Sequence, residues 1–262
     1  MLHRITPLIL TFNEAANIGR TLEKLSWARD IVVVDSYSED ETLHIIRGVK
    51  QARIFQRKFD SLENQWNFAL ETTGISSDWV LALDADYMVT PELLEELSSL
   101  HPPDTINGYR ADFDYCIYGR PLRGSAYPPV TVLYRKDKAR YRQDGHAHRV
   151  VIEGAVENLK AHMLHDDWKP IQHWLRAQNS YMQLELEKLK DADPSTLALP
   201  DRIRKMRYAA PFFVFMYCLI VKKGLWDGRA GIYYAFQRML AETLLSIYLL
   251  DDDLRRSRDI TN

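Results

Sequence analysis

Trp79-Val80-Leu81-Ala82-Leu83-Asp84-Ala85-Asp86 decides the fold: an unbroken apolar run that ends in two carboxylates. A run this short, closed by polar residues, reads as a strand covered on both faces. The same design recurs upstream. Ile31-Val32-Val33-Val34 is β-branched throughout and ends in Asp35-Ser36, while residues 5–12 are largely apolar and lead into Asn13-Glu14. Between these runs Ala15, Ile18, Leu22 and Leu25 keep helical spacing, which predicts a helix over residues 14–26. Helices over 41–49 and 61–70 flank a weak strand at Arg53-Ile54-Phe55, and Thr90-Pro91-Glu92 opens a fourth helix with a capping residue before proline. Strand and helix alternate, so the fold class is α/β with a mostly parallel sheet.

From residue 106 the texture changes to tyrosine, glycine and proline around short β-like pieces at 109–118, 130–134 and 149–152. These read as edge strands and loops that complete a mixed sheet. After Pro170 the pattern is helical over 171–190, 211–223 and 230–250, with a loop at 191–201. The expected organisation is a catalytic domain over 1–169 and a helical C-terminal extension over 170–262.

Composition narrows the function. The 262 residues are 46% hydrophobic and 27% charged, which excludes a disordered chain. With 34 basic and 36 acidic side chains the net charge is −2, so no electrostatic signature of nucleic-acid binding is present. Cys116 and Cys218 have no ligand spacing, which argues against a disulfide framework and for a reducing cytosol. The N-terminus lacks the apolar stretch of a signal peptide. The longest uncharged run, residues 208–221, falls short of the roughly 20 residues that a spanning helix needs. A cytoplasmic protein is expected.

In an open α/β sheet ligands bind beyond the carboxyl ends of the strands. Asn13, Glu14, Asp35 and Ser36 fall there, although each alone equally suits a turn or cap. Asp84 and Asp86 are the strongest local signal. Carboxylates two apart at a strand end suit Mg²⁺ or Mn²⁺ with positions left open for phosphate oxygens.

Thr11-Phe12-Asn13-Glu14, then Val33-Val34-Asp35-Ser36-Tyr37-Ser38-Glu39-Asp40-Glu41-Thr42, then residues 79–86 together resemble the ordered signature of family 2 glycosyltransferases. More narrowly, the chain resembles the small bacterial enzymes grouped with lipopolysaccharide-core glycosyltransferases. Lys222-Lys223-Gly224 and Asp227-Gly228-Arg229-Ala230-Gly231 resemble that group's C-terminal region. The resemblance implies a GT-A (Rossmann-like) fold and a nucleotide-diphosphate sugar donor, a UDP-sugar first. It also implies a divalent metal, inversion at the anomeric carbon, and a saccharide or lipid-linked acceptor such as lipopolysaccharide core. By position, Thr11, Asn13 and Glu14 border the nucleotide, Asp35 is the base- and ribose-side aspartate, and Asp84 and Asp86 are the metal and diphosphate pair. Relatives commonly carry an acidic residue where Tyr87 stands here.

An inverting transfer needs a base. Asp144, His146 and His148, in the polar loop Asp144-Gly145-His146-Ala147-His148-Arg149, are the candidates, and spacing does not choose among them. Relatives often show a His-Glu pair where this chain has His148-Arg149. His165, beside Asp166 and Asp167, is a candidate further metal ligand or else the partner of a capping aspartate. Basic residues 202–207 and 222–229 flank the aromatic run 211–221, which suits peripheral membrane contact on the cytoplasmic face, or else a helix packed on its successor. No Gln-x-x-Arg-Trp motif marks a processive synthase. A metal-dependent hydrolase built on the His146–His165 cluster lacks a His-Glu-x-x-His pattern. Nucleotidyl transfer and a catalytically silent membrane-docking protein are the remaining alternatives.

Overall fold

The computed structural model describes residues 1–144, 147–193, 195 and 197–261, with side chains outside 143–149 and 259–261. The chain forms two compact units. The first comprises Met1–Pro121, Tyr127–Gln143 and His148–Lys169; the second comprises Leu122–Ala126 and the chain from Pro170 onward.

The first unit is built on β1 (Ile5–Thr11), β2 (Ile31–Asp35), β3 (Ala52–Gln56) and β4 (Trp79–Asp84), all mutually parallel. Helices α1 (Ile18–Glu23), α2 (Thr42–Arg47) and α3 (Leu62–Thr72) connect them. One face of the sheet buries Ile9, Ile31, Val33, Leu81 and Leu83 against Ile18, Leu22 and Ile46. The other buries Leu8, Val32, Val34, Val80 and Ala82 against Trp66, Ala69 and Leu70. With both faces covered, alternation between apolar and polar residues would bury charge, and continuous apolar strands result. Each such side chain contributes about 1.5–3 kcal/mol.

After β4 come β5 (Tyr87–Val89) and α4 (Pro91–Ser99), whose N-terminus is capped by Thr90 accepting from the Leu93 N–H at 3.1 Å. Then follow β6 (Ile106–Ala111), β7 (Phe113–Ile117), β8 (Arg120–Pro121) and β9 (Val130–Arg135). The unit ends with β10 (Ala139–Asp144), β11 (Ala147–Ile152), β12 (Ala155–Asn158) and β13 (Met163–His165). The main sheet has seven strands in the order β12-β6-β9-β4-β1-β2-β3, with β9 antiparallel to both neighbours. This is the α/β, mostly parallel mixed sheet that the sequence predicts. A second sheet, β5-β13-β7-β8, carries His165, and β10 pairs with β11 alone.

Three expectations need correction. The stretch 130–134 is not an edge: β9 lies inside the sheet, with Val132, Leu133 and Tyr134 buried. The piece 109–118 is two strands, β6 and β7, which belong to different sheets. Helix α1 begins only at Ile18, because Glu14–Asn17 forms a turn in which the Asn17 N–H donates to the Glu14 carbonyl at 2.9 Å.

The second unit contains α5 (Ile171–Leu189), α6 (Leu199–Arg204), α7 (Ala210–Met216) and α8 (Arg229–Thr261). Helix α6 starts inside the stretch expected to be a loop. The expected helix over 211–223 is α7 followed by a π turn, Tyr217–Val221, closed by the Lys222 N–H donating to the Tyr217 carbonyl at 2.9 Å. Helix α8 runs past Leu250, where apolar periodicity ends, and there Arg255–Asp251 at 2.8 Å and Arg256–Asp252 at 2.7 Å span successive turns. Leu245 and Leu249 of α8 pack on Met182 and Leu189 of α5. Only glycine fits at 231: a Cβ there would lie 2.0 Å from the Gly224 carbonyl oxygen. Among the described residues no helix is long and apolar enough to cross a membrane.

Candidate active site

Strand register brings the carboxyl ends of β1, β2 and β4 to one rim, with Thr11 level with Asp35 and Leu10 level with Asp84. Asp35 is 0% exposed. Its Oδ1 accepts from Thr11 Oγ1 at 3.1 Å and Ser38 Oγ at 2.5 Å, and its Oδ2 from the Ser38 N–H at 2.9 Å and Gln56 Nε2 at 3.3 Å. A buried carboxylate is tolerable only with donors of this number. Ser38 passes the order on, because its Oγ accepts from the Asn13 N–H at 2.8 Å. Asn13 takes φ 55°, in the left-handed region that asparagine tolerates better than most residues. Asp35 therefore shapes the rim from beneath.

Asp40 staples the next loop. Its carboxylate accepts from the Ala15 N–H at 3.1 Å and the Thr42 N–H at 3.0 Å. Partial burial pushes the Asp40 carboxyl up, but these bonds outweigh it and hold it below its usual range. Thr42 Oγ1 accepts from the Glu14 N–H at 2.7 Å, which holds Glu14 in the turn that delays α1.

Glu14 Oε1 lies 2.5 Å from Lys169 Nζ, and Oε2 accepts from Asn17 Nδ2 at 2.8 Å. Burial and the nearby Asp86 charge push the Glu14 carboxyl up to about 7, against the pull of the Lys169 ammonium. The buried Asn17 side chain also donates to Asp167 Oδ1 at 2.8 Å and accepts from the Trp168 N–H at 2.9 Å. Arg20 Nη1 donates to Asp166 Oδ2 at 2.7 Å, and its guanidinium lies 4.4 Å from the Trp168 ring centroid. Asp166 and Asp167 are thus ties between α1 and the segment after β13.

His165 pairs with neither of those aspartates. Its Nε2 lies 3.2 Å from Asp86 Oδ2. Strand β13 runs between β5 and β7 with His165 level with Tyr87 and Tyr115. Three rings enclose the imidazole edge-on: Tyr127 at 4.7 Å, Tyr115 at 4.8 Å and Tyr87 at 5.3 Å between centroids. The Tyr87 and Tyr127 hydroxyls hydrogen-bond to each other. Tyr87 is therefore a wall of the histidine's enclosure. Burial opposes charge on both Asp86 and His165. Even so, His165 holds Asp86 below the carboxylate range, and Asp86 holds His165 above the ordinary histidine value.

Asp86 Oδ1 and His165 Nδ1 are buried without a hydrogen-bond partner. A buried polar atom without a partner is costly and asks for an explanation, of which a bound ion is one. An oxygen and imidazole set of this kind suits Mg²⁺ or Mn²⁺. Among the described residues no three such side chains already stand in a ligand cluster. The Asp84 charge is close, since after burial and the hydroxyl partner it helps to raise the Tyr87 phenol.

Of the residues singled out in the sequence, the rim brings together Thr11, Asn13, Glu14, Asp35, Asp84 and Asp86, and β13 adds His165. His146 lies outside the described residues, as do the side chains of Asp144 and His148. Sequence reading missed Asn17, Arg20, Lys169, Tyr115 and Tyr127. Apart from the Asn17 bond to Glu14, the partners that place these residues are far along the chain.

The family model for glycosyl transferase family 2 matches residues 8–154. The chain belongs to glycosyltransferase family 2, and it is a glycosyltransferase. The lipopolysaccharide core biosynthesis glycosyltransferase LpsC of Rhizobium meliloti is 27% identical over 255 residues, which cover 88% of this chain and 89% of that protein. An uncharacterized glycosyltransferase of Rickettsia prowazekii is 31% identical over 144 residues, covering 53% of this chain and 48% of that one. The structure of S. aureus TarS 1-349 in complex with UDP-GlcNAc aligns with TM-score 0.48 and 14% identity over 97% of this chain and 92% of that chain.

Proposed function

We propose that the protein transfers a sugar, with inversion and one residue at a time, from a nucleoside-diphosphate sugar to an acceptor hydroxyl. A UDP-sugar is the first donor to test. The observation that carries this reading is the Asp86–His165 pair, with one buried polar atom on each left without a hydrogen-bond partner, at the carboxyl rim beside Asp84. Asp84, Asp86 and His165 would hold Mg²⁺ or Mn²⁺. A bound metal supplies positive charge against the diphosphate leaving group. Thr11, Asn13 and Glu14 border the nucleotide, and Asp35 acts on it by holding Ser38 and Thr11 in place. The acceptor oxygen attacks the anomeric carbon, the bond from that carbon to the diphosphate oxygen breaks, and the hydroxyl proton passes to a base. The likeness to LpsC over 89% of its length supports a cell-envelope glycoconjugate such as lipopolysaccharide core as acceptor, met at the cytoplasmic face of the membrane.

A thermal-shift panel of UDP-, GDP- and ADP-sugars with and without Mn²⁺ tests the donor. A ligand held a hundredfold above its Kd stabilises the fold by about 2.7 kcal/mol. The expected result is a rise with one nucleotide class only when Mn²⁺ is present. No rise with any of them removes the proposal.

The base is expected among Asp144, His146 and His148. Its replacement by alanine should lower kcat by roughly 10²–10⁴-fold with donor affinity unchanged, because its bond matters only as the acceptor loses its proton. Turnover at the wild-type rate in all three single variants places the base elsewhere.

A further inference from the structure

The second unit leaves a broad apolar ridge uncovered. Phe212 is 67% exposed, Phe213 55%, Ile220 52% and Trp226 60%. Phe212, Met216 and Ile220 recur every fourth residue along α7 and the π turn, which aligns them on one side. Helix α8 extends the ridge with Ile232, Phe236 and Leu240, all exposed, and Phe236 lies 5.0 Å from Phe215 between ring centroids. Single exposed apolar side chains need no explanation, whereas a contiguous set does.

Charge selects the occupant. From Tyr208 to Leu240 the chain holds one acidic residue, Asp227, and it is buried, accepting from the Arg123 N–H at 3.0 Å. Lys222, Lys223 and Arg229 flank the ridge, and none has a carboxylate partner among the described residues. Lys222 Nζ lies 5.8 Å from the Tyr217 ring centroid, so cation and aromatic share one edge. Three basic residues upstream are committed elsewhere: Arg204 to Glu185 and Glu242, Arg207 to Asp253, and Lys205 to the Ala192 carbonyl. A second copy pressed on this ridge would set like charges against each other. An anionic surface would not.

We propose that α7, the π turn and the Trp226 turn form a docking surface for an anionic lipid bilayer. Aromatic side chains with one polar end, as at Tyr208, Tyr217 and Trp226, suit the headgroup boundary. The uncharged run 208–221 reaches about 21 Å as a helix, against a hydrocarbon core of about 30 Å, so the segment lies in the interface. Apolar insertion and attraction to anionic headgroups are the two contributions that reversible attachment needs. The surface is separate from the nucleotide and metal assignment, so either can fail alone.

The test is co-sedimentation of the full chain with phosphatidylcholine vesicles with and without phosphatidylglycerol, at low and high salt. Nucleotide-sugar affinity is measured in parallel without vesicles. The wild type is expected to sediment only with the anionic vesicles and to be released by salt. Lys222→Gln with Lys223→Gln should bind roughly thirtyfold more weakly, from about 1 kcal/mol for each basic residue. Phe212→Ser with Phe213→Ser should bind more weakly by about tenfold or more. Both variants replace surface groups and should keep the wild-type melting temperature. A wild type that stays in solution with anionic vesicles at low salt overturns the proposal, as does undiminished binding by both variants. So does a wild-type dimer in sedimentation velocity that Phe212→Ser with Phe213→Ser converts to monomer without any vesicle binding.

Discussion

Asp86→Ala is expected to abolish the Mn²⁺-dependent stabilisation by sugar nucleotide and to lower kcat/KM by about a thousandfold. Asp86 Oδ2 meets His165 while Oδ1 is buried without a partner, so removal of the carboxylate deletes one proposed ligand and leaves the other unoriented. A metal at a leaving diphosphate supplies several kcal/mol, and about 4 kcal/mol corresponds to the factor given. The fold should survive. The Asp86 carbonyl, which accepts from the Asp166 N–H at 3.0 Å, is untouched, and a neutral His165 remains enclosed by its tyrosines. Asp86→Asn keeps the shape and separates lost charge from lost packing. Isothermal titration with Mn²⁺ alone reads the site without turnover. If folded Asp86→Ala binds Mn²⁺ and sugar nucleotide as the wild type does, the metal assignment fails.

The contrast between what was legible and what was not has a common cause. Strands β1, β2 and β4 show in the sequence because both faces are covered, so almost every residue must be apolar. The carboxyl-end aspartates follow from those strands at once. Strand β13 is Met163-Leu164-His165, too short and mixed to carry a period, yet its register sets the partner of His165. From sequence Asp166 and Asp167 compete for that histidine as neighbours. The winner, Asp86, is 79 residues away. Local spacing cannot express such a pairing; a sheet can. The same limit explains Lys169, whose ammonium meets Glu14 across 155 residues.

Arg204 fails as a membrane residue for a similar reason, and its removal should be the most damaging single change in the second unit. Its guanidinium lies 3.3 Å from Glu185, 3.2 Å from Asp201 and 3.4 Å from Glu242. The Glu185 and Glu242 side chains are only 2% and 4% exposed. Burial works against the Arg204 charge, but Glu242 and Glu185 outweigh it and hold the guanidinium protonated above its ordinary range. Arg204→Ala takes the shared cation from two buried carboxylates. Breaking a buried ion network by deleting one partner costs about 3–5 kcal/mol. Arg238, 3.8 Å from Glu242, stays beside that carboxylate but does not replace the shared cation. Urea denaturation of the wild type and the variant reads the loss. Glu185→Met, Arg204→Met and Glu242→Met combined remove the cation and its two most buried carboxylates, leave Asp201 to Lys188, and should recover most of the loss, since an apolar replacement of a buried network is often neutral or stabilising. A triple variant no more stable than Arg204→Ala would show that Arg204 stabilises the unit through the packing of its stem and not through its charge.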